Sequence, residues 1–316
     1  MNTRIFFVSD VHGSDKCFRK FINAAKFYKV DTLILGGDIT GKVLVPIVQK
    51  NDGSFSVSLF GKETTVTRES LADYQRKLRD AGQYCFITTE AQMSELSADK
   101  AKVEKIFSEC MLSVLNGWVA LARERLRGTE VKCYISPGND DRFEIDSVLE
   151  DDGPTVVNPE NRVVKVGEYE MITLGYANPT PWKSPREVSE DELGQMIESL
   201  AGRLEDPTRS IFNLHVPPCG TEIDRAPAVD EEFRYVKEGL GAVKIISAGS
   251  TAVRSSIEKH QPLVGLHGHI HESKGFIKVG RTLCLNPGSE YSDGILRGAL
   301  LNLEGARVKE FLLTIG

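Results

Sequence analysis

The sequence predicts an α/β fold in which two sheets pack face to face with helices outside. Three observations predict it. The chain opens with a strand–helix–strand pattern. It ends in alternating apolar segments at hairpin spacing. Between them, short apolar strands run directly into Asp, Asn or His. Apolar residues are 41% and charged residues 27% of the 316, which excludes disorder, collagen and coiled coil. One domain over 1–316 is expected, with an insertion at 42–130.

Residues 5–8 give the first strand signal. Ser14 then caps a helix whose Phe18, Phe21, Ile22 and Ala25 follow helical spacing. Residues 32–35 form a second buried strand that ends in Gly36-Gly37-Asp38, a parallel partner for the first. In the insertion, 55–66 alternates around Gly61-Lys62 and reads as a hairpin. Helices are expected at 69–81 and 98–126. The second carries a stripe of Val103, Ile106, Phe107, Cys110, Met111, Val114, Trp118 and Leu121. Packing on the core is the preferred reading of that stripe, and a dimer contact the alternative.

Strands return at 132–135, 163–166 and 171–174. Ser189 with Glu192 marks a capping box for a helix at 190–202. Strands 211–214 and 263–266 each run into histidine. The end alternates at 276–279, 282–285, 296–303 and 308–314, with bends at Gly280-Arg281 and Glu304-Gly305.

The net charge of -6 argues against nonspecific binding of bulk nucleic acid, though not against a nucleotide substrate. The longest early apolar run, 5–8, fits neither a signal peptide nor a membrane span. Six cysteines, the closest being Cys110 and Cys133, form no CxxC motif. They read as small buried apolar residues in a reducing compartment, so a cytoplasmic protein is expected.

Five segments carry the chemistry: Asp10-Val11-His12, Gly37-Asp38, Gly138-Asn139-Asp140, His215 and Gly268-His269-Ile270-His271. Each follows a predicted strand, and ligands in α/β sheets bind beyond the carboxyl ends of strands. Of six histidines, only His260 lies outside such loops. Imidazole and carboxylate together suit Mn, Fe, Zn or Ni. In Asp-x-His both side chains can reach one ion, and a carboxylate such as Asp38 can bridge two. Two metals about 3.5–4 Å apart can hold a hydroxide and clamp a phosphate for in-line attack.

In this order the segments resemble the calcineurin-like metallophosphoesterase superfamily. Residues 266–273, with Asn286-Pro287-Gly288-Ser289 beyond them, resemble a prokaryotic branch of predicted phosphoesterases related to cyclic-nucleotide phosphodiesterases. Asn178-Pro179-Thr180-Pro181-Trp182 is similar to a loop of that branch. The resemblance covers roughly 1–41 and 131–316. It implies a four-layer α/β/β/α sandwich and two divalent metals, Mn first, with Fe, Ni or Zn as alternatives. Asp10, His12 and His271 would hold one metal. Asn139, His215 and His269 would hold the other, with Asp38 between them. The implied reaction is phosphoester hydrolysis by a metal-bridging hydroxide on a small phosphoester or nucleotide.

One position departs from the family pattern. Many members carry histidine after the motif asparagine, and that histidine is thought to protonate the leaving oxygen or contact the phosphate. Here Asp140 stands there, followed by Asp141. An ionised Asp140 repels a monoester dianion more than a diester monoanion, which favours phosphodiesters. A raised Asp140 pKa would restore an acid, and His267 is a second candidate acid. Arg142 reads as surface more readily than as a phosphate contact. Trp182 reads as core at least as readily as a stacking platform. His260 and Cys219 receive no function. A binding scaffold on the same fold, or a nuclease, is the alternative reading, and a homodimer is allowed.

Overall fold

A computed structural model of the chain describes residues 2–150, 153 and 155–316. It is a mixed α/β protein. The first sheet has six strands in the spatial order Arg307–Ile315, Arg297–Glu304, Asn2–Val8, Thr32–Gly36, Lys132–Ser136 and Val156–Val157. The second runs Gly275–Val279, Thr282–Asn286, Val264–Leu266, Ile211–Leu214, Tyr169–Leu174 and Val163–Val166. Asn2–Val8, Thr32–Gly36 and Lys132–Ser136 are parallel, and so are Tyr169–Leu174, Ile211–Leu214, Val264–Leu266 and Thr282–Asn286. Antiparallel hairpins form three of the four edges, and Val156–Val157 pairs in parallel with Lys132–Ser136 at the fourth.

Alternation in the strands explains the packing. Ile5, Phe7 and Ile34 of the first sheet share one core with Met171, Ile211, Val264 and Leu283 of the second. The opposite side chains of the first sheet, Phe6, Val8, Leu33 and Leu35, pack with Phe18, Phe21 and Ile22 of helix Asp15–Tyr28. Outer residues of the second sheet, Ile172, Phe212 and Cys284, pack with Leu193 and Ile197 of helix Glu190–Ala201 and with Val253 and Ile257 of helix Thr251–His260. Ser14, Ser189 and Ser250 cap these three helices by accepting backbone N–H bonds.

Residues 43–98 form a separate small sheet, ordered Lys62–Val66, Phe55–Leu59, Val43–Gln49 and Gln83–Thr89, with its own core around Val45, Ile47, Phe55 and Val57. The hairpin expected at 55–66 is present. Strands Val43–Gln49 and Gln83–Thr89 pair in parallel on one side of it and had no clear signal in the sequence. Helix Lys100–Leu126 then returns to the main body. Its Met111, Leu115, Trp118, Val119 and Ala122 lie in the first sheet's outer core, and Trp118 stacks on Phe18 at 4.3 Å. The apolar stripe therefore packs on the core, as preferred, although Val103 and Ile106 of the expected stripe lie outside that cluster.

Candidate metal centre

The two sheets bring five strand exits together. Backbone bonds lock the loops to one another. The Asp10 N–H donates to the Gly37 carbonyl at 3.0 Å, His12 to Asp38 at 2.9 Å, and Gly268 to His215 at 2.9 Å. The His269 N–H donates to the Asp10 carboxylate at 3.0 Å, joining the two sheets' loops. Asp10, His12, Asp38 and His269 all have positive φ, between 38° and 67°. Non-glycine residues in that region cost about 1–3 kcal/mol each and persist where surroundings over-determine them, typically at functional sites. Glycine supplies the close approach: a Cβ on Gly37 (φ +119°) would sit 2.3 Å from His215 Nδ1.

Asp10, His12 and His271 converge as one potential ligand group, and Asp38, His215 and His269 as another. His12 Nε2 lies 3.0 Å from His271 Nε2, and His271 Nε2 lies 3.5 Å from Asp10 Oδ1. Asp38 turns one oxygen to each group. Its Oδ2 is 3.5 Å from His12 Nε2 and its Oδ1 is 3.5 Å from His215 Nε2. Asn139 Oδ1 stands 2.8 Å from His269 Nδ1. The structure thus brings together all seven residues expected to hold metal.

The donor set fits divalent metal. A carbonyl can only accept, so His215 Nδ1–H donates to Gly36 at 3.0 Å and leaves Nε2 facing Asp38 and Asp10. That Nε2 is buried and has no hydrogen-bond partner. Burial by itself would lower the His215 pKa, but Asp38 and Asp10 outweigh it and push it up to about 10. Burial raises the Asp38 carboxyl against the pull of His215. Asp10 feels the same desolvation, yet His271, His215 and His12 hold it well below the usual carboxylate range. Burial, then the His215 charge, pushes His269 down to about 3. Buried carboxylates that draw positive charge onto a neighbouring imidazole form a site suited to a cation.

Two expectations about the acid step are corrected. His267 is fully buried, with Nδ1 on the Leu214 carbonyl at 2.7 Å and Nε2 turned towards Gly265. Burial pushes its pKa down to about 4, and it does not line the cavity. Asp140 is not raised. Burial acts to raise it, but the Lys42 ammonium, bonded to one carboxylate oxygen, and the Ser184 hydroxyl, bonded to the other, hold it ionised. Trp182 is 61% exposed at the cavity, 6.2 Å from the Phe233 ring, so the core reading fails there. Arg142 also lines the cavity, paired with Glu104 at 2.8 Å and lying over the Phe107 ring.

Two supporting residues were not singled out from sequence. Lys42 is one; its place four residues after Asp38 on the same loop was the available signal. Asp141 is another, accepting N–H bonds from Gly138, Ile39 and Thr40. Asn286 donates to the carbonyls of Gly268 and Ile270, and the Ser289 hydroxyl donates to that of Asp10 at 2.6 Å, so the 286–289 turn does reach the site. A cavity of about 880 Å³ opens over Asp38, Asn139, His269 and His271.

The paired sheets and the order of the converging His/Asp groups agree with the resemblance drawn from the sequence. No family model matches the chain. An uncharacterized protein of Methanocaldococcus jannaschii is 30% identical over 161 residues, 50% of this chain and 63% of that one. The match therefore spans less than two thirds of that relative's length. Protein TT1561 of Thermus thermophilus shares the fold, with TM-score 0.54 at 14% identity over 100% of this chain and 99% of that one. A novel archaeal phosphodiesterase superposes more loosely, with TM-score 0.39 at 13% identity over 99% of both chains, a likeness too loose to carry function. No helix among the described residues is long and apolar enough to cross a membrane.

Proposed function

We propose that the protein is a metal-dependent phosphoesterase that hydrolyses phosphodiesters in preference to monoesters. One observation carries this reading: the Asp38 carboxylate turns one oxygen towards each of two His/Asp groups. Asp10, His12 and His271 would hold one metal, and Asn139, His215 and His269 the other. Divalent metals, Mn first among Mn, Fe, Ni and Zn, supply an activated water and neutralise charge building on the phosphoryl group.

The chain's own residues do the rest. Gly36 orients His215 through Nδ1, and the His269 N–H orients the Asp10 carboxylate. The Asp140 N–H donates to Asp38 Oδ1 at 3.0 Å and fixes that oxygen. The diester preference rests on Asp140, whose ion pair with Lys42 leaves no net positive charge where many family members place a histidine. The volume of the cavity supports a small phosphoester or nucleotide as the substrate. Lys42, Glu104, Phe107 and Met111 lie along one wall, which supports a cap role for segment 42–130. We read the packing as a four-layer sandwich, on the three cores described above.

The test is hydrolysis of an aryl phosphodiester beside its monoester by chelated protein, with and without Mn²⁺. Metal-dependent turnover that favours the diester is expected. Absence of turnover with metal bound would favour the scaffold, and digestion of single-stranded DNA would favour the nuclease.

A further inference from the structure

We infer that Lys42 contacts the substrate's phosphoryl oxygens and that its ion pair with Asp140 sets the charge selectivity of the site. This rests on the phosphoesterase reading and names the residue that tunes it. Both side chains line the cavity beside Asp38, Asn139, His269 and His271. They are anchored unequally. Asp140 is held on several sides: one oxygen accepts from Ser184, its own N–H is on Asp38, and its side chain is 20% exposed. The Lys42 side chain is 48% exposed, and its ammonium has Asp140 as its one ion-pair partner among the described residues.

The stem of Lys42 is nevertheless positioned. The Gly41 N–H donates to the Tyr84 hydroxyl at 2.8 Å, and Asp141 holds the Thr40 N–H at 2.9 Å. A fixed stem with a half-exposed cationic head suits an anion that arrives from the cavity. As a surface tie the pair would add little stability, since exposed ion pairs contribute about 0–1 kcal/mol.

Charge arithmetic gives the consequence. Lys42 and Asp140 together present no net charge to the phosphate. Removing the carboxylate charge exposes a full cation, which a dianion gains from more than a monoanion does. Removing the ammonium leaves a bare carboxylate, which penalises the dianion more. A purely structural pair would depress both esters alike.

The experiment compares Mn²⁺-loaded wild type, Asp140→Asn, Lys42→Gln and the double variant. The kcat/KM ratio of an aryl monoester to its diester is expected to rise about tenfold in Asp140→Asn and to fall about tenfold in Lys42→Gln. The double variant should return to within about threefold of wild type. Calorimetry with inorganic phosphate gives an independent readout: binding is expected to tighten in Asp140→Asn and weaken in Lys42→Gln. Shifts of the same sign in both single variants overturn the proposal. So does loss of bound Mn²⁺ in Asp140→Asn, which would make Asp140 a ligand, or absence of phosphate binding by all four proteins. If wild type turns over neither ester, the phosphoesterase reading fails while the phosphate affinities still decide the role of Lys42.

Discussion

The Asp141 carboxylate accepts the Thr40 backbone N–H at 2.9 Å, tying the loop that bears Asn139 to the loop that bears Asp38. The same carboxylate accepts from Ile39, Gly138 and the Thr40 hydroxyl, so one buried side chain sets the spacing of two candidate ligands. Asp141→Ala leaves these donors unpaired. It is expected to cost about 2–4 kcal/mol and to weaken Mn²⁺ binding, read by urea denaturation and metal titration. Unchanged metal affinity would show that the loops keep their spacing without it.

Gly138 packs against Asp38 so closely that an added Cβ would lie 2.2 Å from the Asp38 nitrogen and 2.3 Å from Oδ1. Gly138→Ala must displace Asp38. A stability loss of about 1–3 kcal/mol and less than two metals per chain by elemental analysis are expected. Two metals retained at wild-type affinity would contradict the bridging role.

Metal should stabilise the fold, because it binds the assembled ligand set and not the unfolded chain. At a hundredfold excess over Kd, one site adds about 2.7 kcal/mol. Chelation is expected to lower Tm by several degrees and Mn²⁺ to restore it. In Asp38→Asn or His269→Ala, most of the restoration should vanish while the apo protein still melts cooperatively. Equal Mn²⁺ gains in wild type and both variants would remove these residues from the site.

Glu160 gives the pH dependence. Both its carboxylate oxygens accept the Gly175 N–H at 3.0 Å. Burial of the carboxyl group outweighs that bond and the Arg186 charge, pushing the pKa up to about 8 from an ordinary 4.5. A folded-state pKa above the unfolded one means that the folded state holds the proton more tightly. Its contribution is therefore full below about pH 4.5 and is lost as pH rises through about 8. The urea midpoint should fall between pH 5 and pH 9 in wild type and fall less in Glu160→Gln. Equal slopes would show that Glu160 is not the source.

Trp118 tests where helix Lys100–Leu126 belongs. Its ring stacks on Phe18, and its Nε1–H donates to Asp15 Oδ1 at 2.8 Å. Trp118→Ala is expected to cost about 3–5 kcal/mol in a single cooperative transition. A loss below about 1 kcal/mol would mean that the helix packs on the body only loosely.

The sequence by itself determined the strands that carry the site. Residues 211–214 appear as a strand with those bounds and 32–35 as all but the last residue of one, because short apolar runs ending in polar residues leave little choice of state. It also determined which donor atoms could gather, since Asp10, His12, Asp38, Asn139, His215, His269 and His271 all stand where strands end. Only the tertiary structure decided what those residues face. His267 and His269 are two residues apart, yet His267 is buried beneath the site and His269 points into it, because the backbone turns into the left-handed region at His269. Asp140 was legible as a charge but not as half of an ion pair, because Lys42 reaches it across 98 positions of sequence through a contact between loops. Local pattern fixes the pleat and the strand exits; which side chains meet beyond those exits is set by how the two sheets pack.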